Sequence, residues 1–514
     1  MTHPPDWGQT WPALPEFREL ARERRVIPVV RRLLADELTP VAIYRRLAHG
    51  RLGAFILESA SSDGTWGQWS FIGVSARAGL TSTPDGQARW WGDVPVSLPA
   101  QGDVLDVLRS SLEALHTPPI PGMPPLTSGF VGALGWDVIH HWEPGLTKLA
   151  AAEDDLPDLS MVLIGDMIAV DHRQGAIWLI ANAINGDDSA DRVDEAYRAA
   201  VARLDALLAA LLQPQTPVLG MIDDQAPTPE PKHRTAELDF LSSVSAAKEA
   251  ITDGEVFQVV LSQRFDVDCP ADPLDVYRVL RTINPSPYMY LLHLGDGAGR
   301  EFHVVGSSPE TLVKMAGRKV TSYPIAGSRP RGTDPAQDRQ FADDLLVDPK
   351  ERAEHLMLVD LARNDLGRVC QPGTVAVVEF MQIKRFSHIM HMSSTVIGEL
   401  RPEATAVDVF TATFPAGTLS GAPKRRAIEL IDQFEPARRG IYGGVVGYFD
   451  LAGDMDMAIA IRTAVITDGQ ASVQAGAGLV ADSDPGTEYI ETTNKAAAAL
   501  RAAQLATRLR VPAQ

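Results

Sequence analysis

A chain of 514 residues, 45% hydrophobic and 22% charged, has the composition of an ordinary soluble globular protein and length for two to four domain-sized units. Its formal charge of -19, from 66 acidic against 47 basic side chains, argues against nucleic acid or an anionic membrane as the main partner. No apolar run reaches membrane-spanning length, Met1 to Gln9 lacks the basic and apolar regions of a signal peptide, and Cys269 and Cys370 are too few for a disulfide framework or a cysteine-based zinc site, so a cytoplasmic protein with reduced thiols is expected.

Along the chain, short strand-like segments such as "GAFILES", "WSFIG" and "MVLIGDMIAVD" alternate with helical ones up to a helix that ends near Leu212. The Pro-rich polar stretch that follows predicts a boundary, giving an N-terminal domain (1–212), a linker (213–236) and a C-terminal domain (237–514). Beyond it, "SSVSAAKEAITDGEVFQVVLSQRFDV" reads as helix then strand, and "EFHVVGSSPETLVKMAGRKVTSYPIAG" as strands joined at "GRK". "GGVVGYFD", "DMAIAIRTAVIT" and "ASVQAGAGLV" predict a C-terminal meander. Helices and antiparallel strands mix without a strict βαβ rhythm, so the expected class is α+β.

Several positions in this half carry chemistry. A Ser-Pro turn in "GSSPE" aims Glu310 into a cleft or starts a helix. "VDPKERAEHLMLVDLARNDLGR" predicts a helix opened by Asp348 and Pro349, with Glu351 and Glu354 three apart and an apolar face of Leu356, Met357, Val359 and Leu361. His388 and His391 in "SHIMHMSS" read most simply as packed or surface residues. "FPAGTLSGAPKRRAIELI" lacks the spacing of a phosphate loop but still feeds a helix N-terminus, where Thr418 and nearby N–H groups can hold an anion or a hydroxyl. In the middle meander strand, alternation puts Met457, Ile459 and Ile461 on one face and Ala458, Ala460 and Arg462 on the other. Gly476 and Gly478 in "QAGAG" either expose backbone N–H groups to an anion or make a plain turn.

A last helix, capped by Asp484 and Pro485, carries Glu488, Glu491 and Lys495 at i, i+3 and i+7, within one arc of roughly 60°. Two packed helices that each offer a Glu-x-x-Glu pair can supply hard oxygen ligands to one cation. Mg²⁺ fits that donor set, because it favours oxygen at about 2.0–2.1 Å and takes one or two carboxylates while keeping waters. The expectation is Glu354 and Glu491 as direct ligands, with Glu351 and Glu488 behind them.

Taken together, "PIAGSRPRG", "EHLMLVDLARNDLGR", "FPAGTLSGAPK", "YGGVVGY", "QAGAGLVADSDPGTEYIETTNKA" and "GEVFQVVLSQRF" resemble the chorismate-utilising enzymes, in the branch of anthranilate synthase large subunits. The resemblance covers nearly the whole chain after the linker and reaches the N-terminal half through "FILESA" and "WSFIG". It implies a fold of large, mainly antiparallel sheets packed as a sandwich with helices outside. Relatives that use water as nucleophile carry an activating lysine where this chain has Gln258. Aminodeoxychorismate synthases read Pro-Ile-Lys-Gly where this chain has Ala326, which leaves room for ammonia to attack the ring.

By the same resemblance, Mg²⁺ on Glu354 and Glu491 holds the ring carboxylate of chorismate. Gly327, Ser328, Thr418, Tyr442, Arg462, Lys495 and the backbone of Gly476, Ala477 and Gly478 hold the rest, with Ser328 standing where most relatives have threonine. Glu310 is the implied general acid and His391 the implied helper in aromatisation. A separate glutamine amidotransferase subunit is the implied ammonia source, in a heterotetramer of two large and two small subunits. The implied site for feedback inhibition by L-tryptophan comprises Glu58, Ser59, Pro287, Tyr288 and Met289. Aminodeoxychorismate synthase, or a non-catalytic tryptophan-sensing protein of the same fold, are the alternatives.

Overall fold

The computed structural model of the protein describes residues 5–60, 67–146, 150–151, 156–185, 191–215, 218–385 and 389–512. The elements that carry the candidate site begin with β1 (Phe55–Glu58), β2 (Gly129–Leu134), β3 (Gln258–Asp268), β4 (Tyr288–Gly295), β5 (Glu301–Ser308), β6 (Thr311–Ala316) and β7 (Ile325–Pro330). They continue with α1 (Pro349–Gly367), β8 (Ile389–Glu399), α2 (Lys424–Phe434), β9 (Val445–Asp450), β10 (Met455–Ile459), β11 (Thr463–Thr467), β12 (Gln470–Leu479) and α3 (Pro485–Thr507).

Among the described residues, 22 strands join in one hydrogen-bonded network whose ladders run antiparallel. Segments on either side of the Pro-rich stretch share it. β1 pairs with β4, placing Glu58 opposite Met289, and β2 pairs with β9, placing Leu134 opposite Val445. The Pro-rich stretch is itself tied down, since Lys232–His233 pairs with the Phe265 and Asp266 end of β3 and Met221–Ile222 with Leu509–Arg510.

Four apolar clusters form among the described residues, and the three largest order the layers. One is built almost wholly of strand residues, among them Phe55, Val131, Tyr290, Phe302 and Val446, as expected where two sheet faces meet. The other two set strands against helices: Val359, Ala362 and Leu366 of α1 pack with Leu261 and Val445, and Ala496, Ala499 and Ala503 of α3 with Phe265 and Val473. Helices therefore lie outside a sheet sandwich, the α+β arrangement expected from the sequence.

Both predicted helix starts form by the same local device. The Asp348 side chain accepts from the N–H groups of Lys350 and Glu351, that of Asp484 accepts from Thr487, and a proline fills the first turn of each helix. The buried face of α1 differs from the expected one. It is His355, Leu358, Val359, Ala362 and Leu366, while Leu356 is 54% exposed, because the helix is rotated to turn Glu351, Glu354 and Leu358 toward the interior cavity described below.

The single strand expected over 456–467 is also corrected. It breaks at residues 460–462, where Arg462 adopts φ +51°, and both Ala458 and Met457 are fully buried, so neither face is open. Cys269 and Cys370 are buried free thiols. Among the described residues, no helix is long and apolar enough to cross a membrane.

Candidate active site

A cavity of about 660 Å³ opens between α1, α3, the β7–β8 ladder, β12 and the turn before β6. Its wall brings together Glu310, Gly327, Ser328, His391, Thr418, Tyr442, Arg462, Gly476, Gly478 and Lys495, with Glu351, Glu354, Glu488 and Glu491 at the helix side. Gln258 and Ala326 face it as well. Ala477 is absent from the wall, because alternation along β12 turns its side chain to the opposite, fully buried face. His388 lies outside the described residues.

Glu310 sits in the two-residue connection between β5 and β6, clamped through its backbone: Ser308 Oγ accepts from its N–H, and its carbonyl accepts from Ile459 N at 3.0 Å. The Thr418 hydroxyl donates to Glu310 Oε1 at 2.8 Å. Burial raises this carboxyl from an ordinary 4.5 to about 7, against the opposing pull of Thr418, Lys495 and Arg462. A carboxylic acid poised there can donate a proton near neutral pH. Arg462 is itself lowered by burial and held up by Glu310. Its left-handed backbone, costly for a residue with a Cβ, turns the chain between β10 and β11 so that the guanidinium reaches the cavity.

His391 lies across the cavity on β8. β7 carries a bulge between Ala326 and Ser328, with Gly327 at φ +67° supplying the extra residue. That bulge aims the Gly327 carbonyl at His391 Nδ1, 3.0 Å away. A carbonyl only accepts, so Nδ1 carries the proton and Nε2 is the basic nitrogen. Burial lowers the imidazole below its usual range, which keeps it neutral at pH 7.

Gly476 and Gly478 belong to β12 rather than to a turn. They are glycine because of what approaches them: a Cβ at 476 would lie 2.6 Å from Tyr442 Oη, and one at 478 would lie 2.7 Å from Gln258 Nε2. Gln258 is 6% exposed, and its Oε1 has no hydrogen-bond partner among the described residues. A buried acceptor left open beside a cavity is a place for a ligand N–H or O–H.

At the helix side, Lys495 Nζ binds Glu491 Oε1 at 2.7 Å and the Gly476 carbonyl at 3.1 Å, and Glu351 pairs with Arg329 at 3.1 Å. Burial, then the charge of Glu351, raises Glu354 above its ordinary range, and Glu491 adds to the effect. Glu488 is raised by burial against a hydrogen bond from Ser483. Besides Glu310, the wall carries four carboxyl groups against the cations Lys350, Arg462 and Lys495, so the chain alone does not make this cavity positive. Among the described residues, no three His, Cys, Asp or Glu side chains converge on one point.

The segments around Glu58 and Met289 also meet in space. Glu58 is taken up by Tyr277 Oη at 2.5 Å and by Arg281, and Ala60 N donates to Ser286 O at 3.1 Å. Tyr288 points inward, with its hydroxyl 2.8 Å from Thr311 Oγ1, on the residue after Glu310, and 3.0 Å from Asp456 Oδ1.

Residues 56–501 match the family described as chorismate binding enzyme. The chain belongs to this family. Anthranilate synthase component 1 of Arthrobacter globiformis is 55% identical to it over 506 residues, covering 98% of this chain and 94% of that protein. The protein of the same name from Mycolicibacterium smegmatis is 52% identical, covering 97% and 94%. The crystal structure of anthranilate synthase component I from Streptococcus pneumoniae superposes with a TM-score of 0.74 at 34% identity, covering 90% of this chain and 98% of that one. The chain is thus a chorismate-binding enzyme similar over nearly its full length to anthranilate synthase component 1 members of the family.

In and behind this cavity, two features escaped the sequence reading. Lys350 lines the wall beside Glu351, and its place directly after the capping Asp348–Pro349 pair was the available signal. Arg439 and Glu435, buried behind Thr418 and Tyr442, look in sequence like any i, i+4 pair on a helix surface.

Proposed function

We propose that this chain is the chorismate-converting subunit of an anthranilate synthase, turning chorismate and ammonia into anthranilate and pyruvate. The observation that carries the reading is Glu310: a buried carboxyl held near pH 7, oriented by Thr418, opposite a neutral histidine across a cavity of substrate size. Ammonia forms a bond to ring C2 and then loses a proton, the two conjugated ring double bonds each shift by one position toward C4, and the C4–O bond breaks as Glu310 protonates the departing hydroxyl, releasing water. His391, basic at Nε2, then assists removal of the C2 proton. The C3–O bond breaks, and the enolpyruvyl group leaves as pyruvate when its methylene carbon is protonated. The open Oε1 of Gln258 suits an acceptor contact to incoming ammonia, and Ala326 leaves no amine to compete with it.

The acid-rich helix side supports a requirement for Mg²⁺. Carboxylates that raise one another by burial and repulsion gain from a divalent cation, and a dianionic substrate needs the positive charge that the wall lacks. Glu354 and Glu491 would hold the ion, with Glu351 and Glu488 behind them. When bound, it supplies charge neutralisation and a fixed orientation for the ring carboxylate. Arg462, Lys495, Tyr442 and the Gly476–Gly478 edge position the rest of the substrate, and Thr418, Gly327 and Ser328 close the site.

The word component in the names of the relatives supports a partner subunit, here a glutamine amidotransferase that delivers ammonia within a two-plus-two assembly. The meeting of Glu58 and Ser59 with Pro287, Tyr288 and Met289 supports an L-tryptophan site there, one residue contact away from Thr311 and so from Glu310. The deciding experiment supplies chorismate, Mg²⁺ and ammonium to the purified chain. Fluorescent anthranilate and stoichiometric pyruvate are expected, whereas a para-substituted product or an inert protein overturns the reading.

A further inference from the structure

Behind Thr418 and Tyr442 lies an ion pair with almost no exposure: Arg439 and Glu435 approach to 2.6 Å with their side chains 1% and 4% accessible. The guanidinium fork has a separate task for each arm. Nε and Nη2 donate to the two Glu435 oxygens at 2.9 and 2.6 Å, Nη2 also donates to Val260 O at 2.8 Å, and Nη1 donates to Leu419 O at 2.6 Å. Its Cζ lies over the Trp136 ring, 4.3 Å from the centroid, and over the Tyr442 ring, 5.5 Å from the centroid. Glu435 Oε1 accepts in turn from Ser262 N and Ser262 Oγ, each at 2.8 Å.

Burying two charges is a poor route to stability, since desolvation offsets most of their attraction, so the value of the pair lies in what it fixes. Leu419 directly follows Thr418, the donor to Glu310. Val260 lies two residues beyond Gln258 on β3, and Tyr442 packs over Gly476 in the cavity wall. One planar cation therefore spans three elements that carry site residues. A lysine cannot replace it, because a single ammonium offers neither a fixed fork nor a flat face to stack.

We propose that Arg439, held by Glu435, is a positioning residue for the acid–base site, setting the Thr418 hydroxyl against Glu310 and Tyr442 against the cavity floor. This role rests on the reaction proposed above only where turnover is the readout. The Thr418 hydrogen bond favours the ionised form of Glu310, so loosening it raises the pKa of Glu310.

The test compares wild type with Arg439→Lys, with Thr418→Val as reference and Ser262→Ala as a milder perturbation that deprives Glu435 of one donor. In Arg439→Lys the alkaline limb of kcat/KM for chorismate is expected to move up by about half to one pH unit, the weight of one hydrogen bond, alongside a fall in kcat. The titration of Glu310 is followed independently of turnover as the pH-dependent carboxyl infrared band that Glu310→Gln lacks, and the same upward shift is expected there. A shift in Thr418→Val with none in Arg439→Lys overturns the proposal, even if the melting temperature falls. Should Arg439→Lys fail to fold, Ser262→Ala decides, by a smaller shift in the same direction or by none. Absence of chorismate turnover in the wild type would count against the reaction alone, since the infrared band still reports on Arg439.

Discussion

Replacing Glu310 by glutamine should disable the enzyme and, above neutral pH, make it more stable. Burial raises this carboxyl from 4.5 to about 7, so between those values the folded protein holds a proton that the unfolded chain has released. Stability therefore falls as pH rises through this window. The interval of about 2.5 pH units, at roughly 1.4 kcal/mol each, corresponds to about 3 kcal/mol above pH 7. Glutamine keeps the shape and an acceptor for the Thr418 hydroxyl but has nothing to ionise. Buried Asp450 and Asp456, raised to about 7 and about 6, titrate in the same range but are common to both proteins and cancel in the difference. Denaturant unfolding at two pH values measures the effect. The variant is expected to gain less than about 1 kcal/mol at pH 5 and about 3 kcal/mol at pH 8, while kcat falls by about 10²–10⁴. Equal gains at both pH values, or a loss at pH 8, would refute the assignment of Glu310 as a carboxyl held protonated by burial.

Gly476→Ala would place a methyl group 2.6 Å from Tyr442 Oη and 3.0 Å from Leu261 O, so a loss of about 1–3 kcal/mol in stability and a raised KM for chorismate are expected. Unaltered unfolding and kinetics would show that β12 gives way freely. Glu491→Ala removes a half-exposed partner of Lys495, so the melting temperature should barely move while activation by Mg²⁺ in a metal titration disappears. Ordinary Mg²⁺ activation in that variant would remove Glu491 from the metal site. Ser59→Ala is expected to weaken inhibition by L-tryptophan about tenfold, the weight of one good hydrogen bond, with kcat untouched. An unchanged inhibition constant would place the inhibitor elsewhere.

The legible parts of this protein are those set within a few residues of chain. Asp348–Pro349 and Asp484–Pro485 start their helices by local capping, and the spacing of Glu351 with Glu354, and of Glu488, Glu491 and Lys495, fixes each set on one side of its helix wherever that helix lies. The break at Arg462 and the bulge at Gly327 were not legible, because each is imposed by the register of neighbouring strands on a segment that alternates well enough to be continuous. The glycines of "QAGAG" were visible, but their reason was not: Tyr442 and Gln258, distant in sequence, fill the space a Cβ would need. The face of α1 was misjudged for a related reason. A helix that borders a cavity on one side and a core on the other has apolar residues around much of its girth, and only its neighbours decide which are covered.

The sequence by itself determined where helices begin, which side chains share a face, and which acids, hydroxyls and guanidinium groups were available for chemistry. Tertiary structure alone decided that two acidic helices and the Pro309–Glu310 turn look into one cavity, that Glu435 and Arg439 are sealed from water, and that Glu310 keeps its proton near pH 7. The difference is physical. Hydrogen bonding and side-chain direction follow the local backbone, whereas desolvation depends on everything that closes over a group, and those atoms come from segments far apart along the chain.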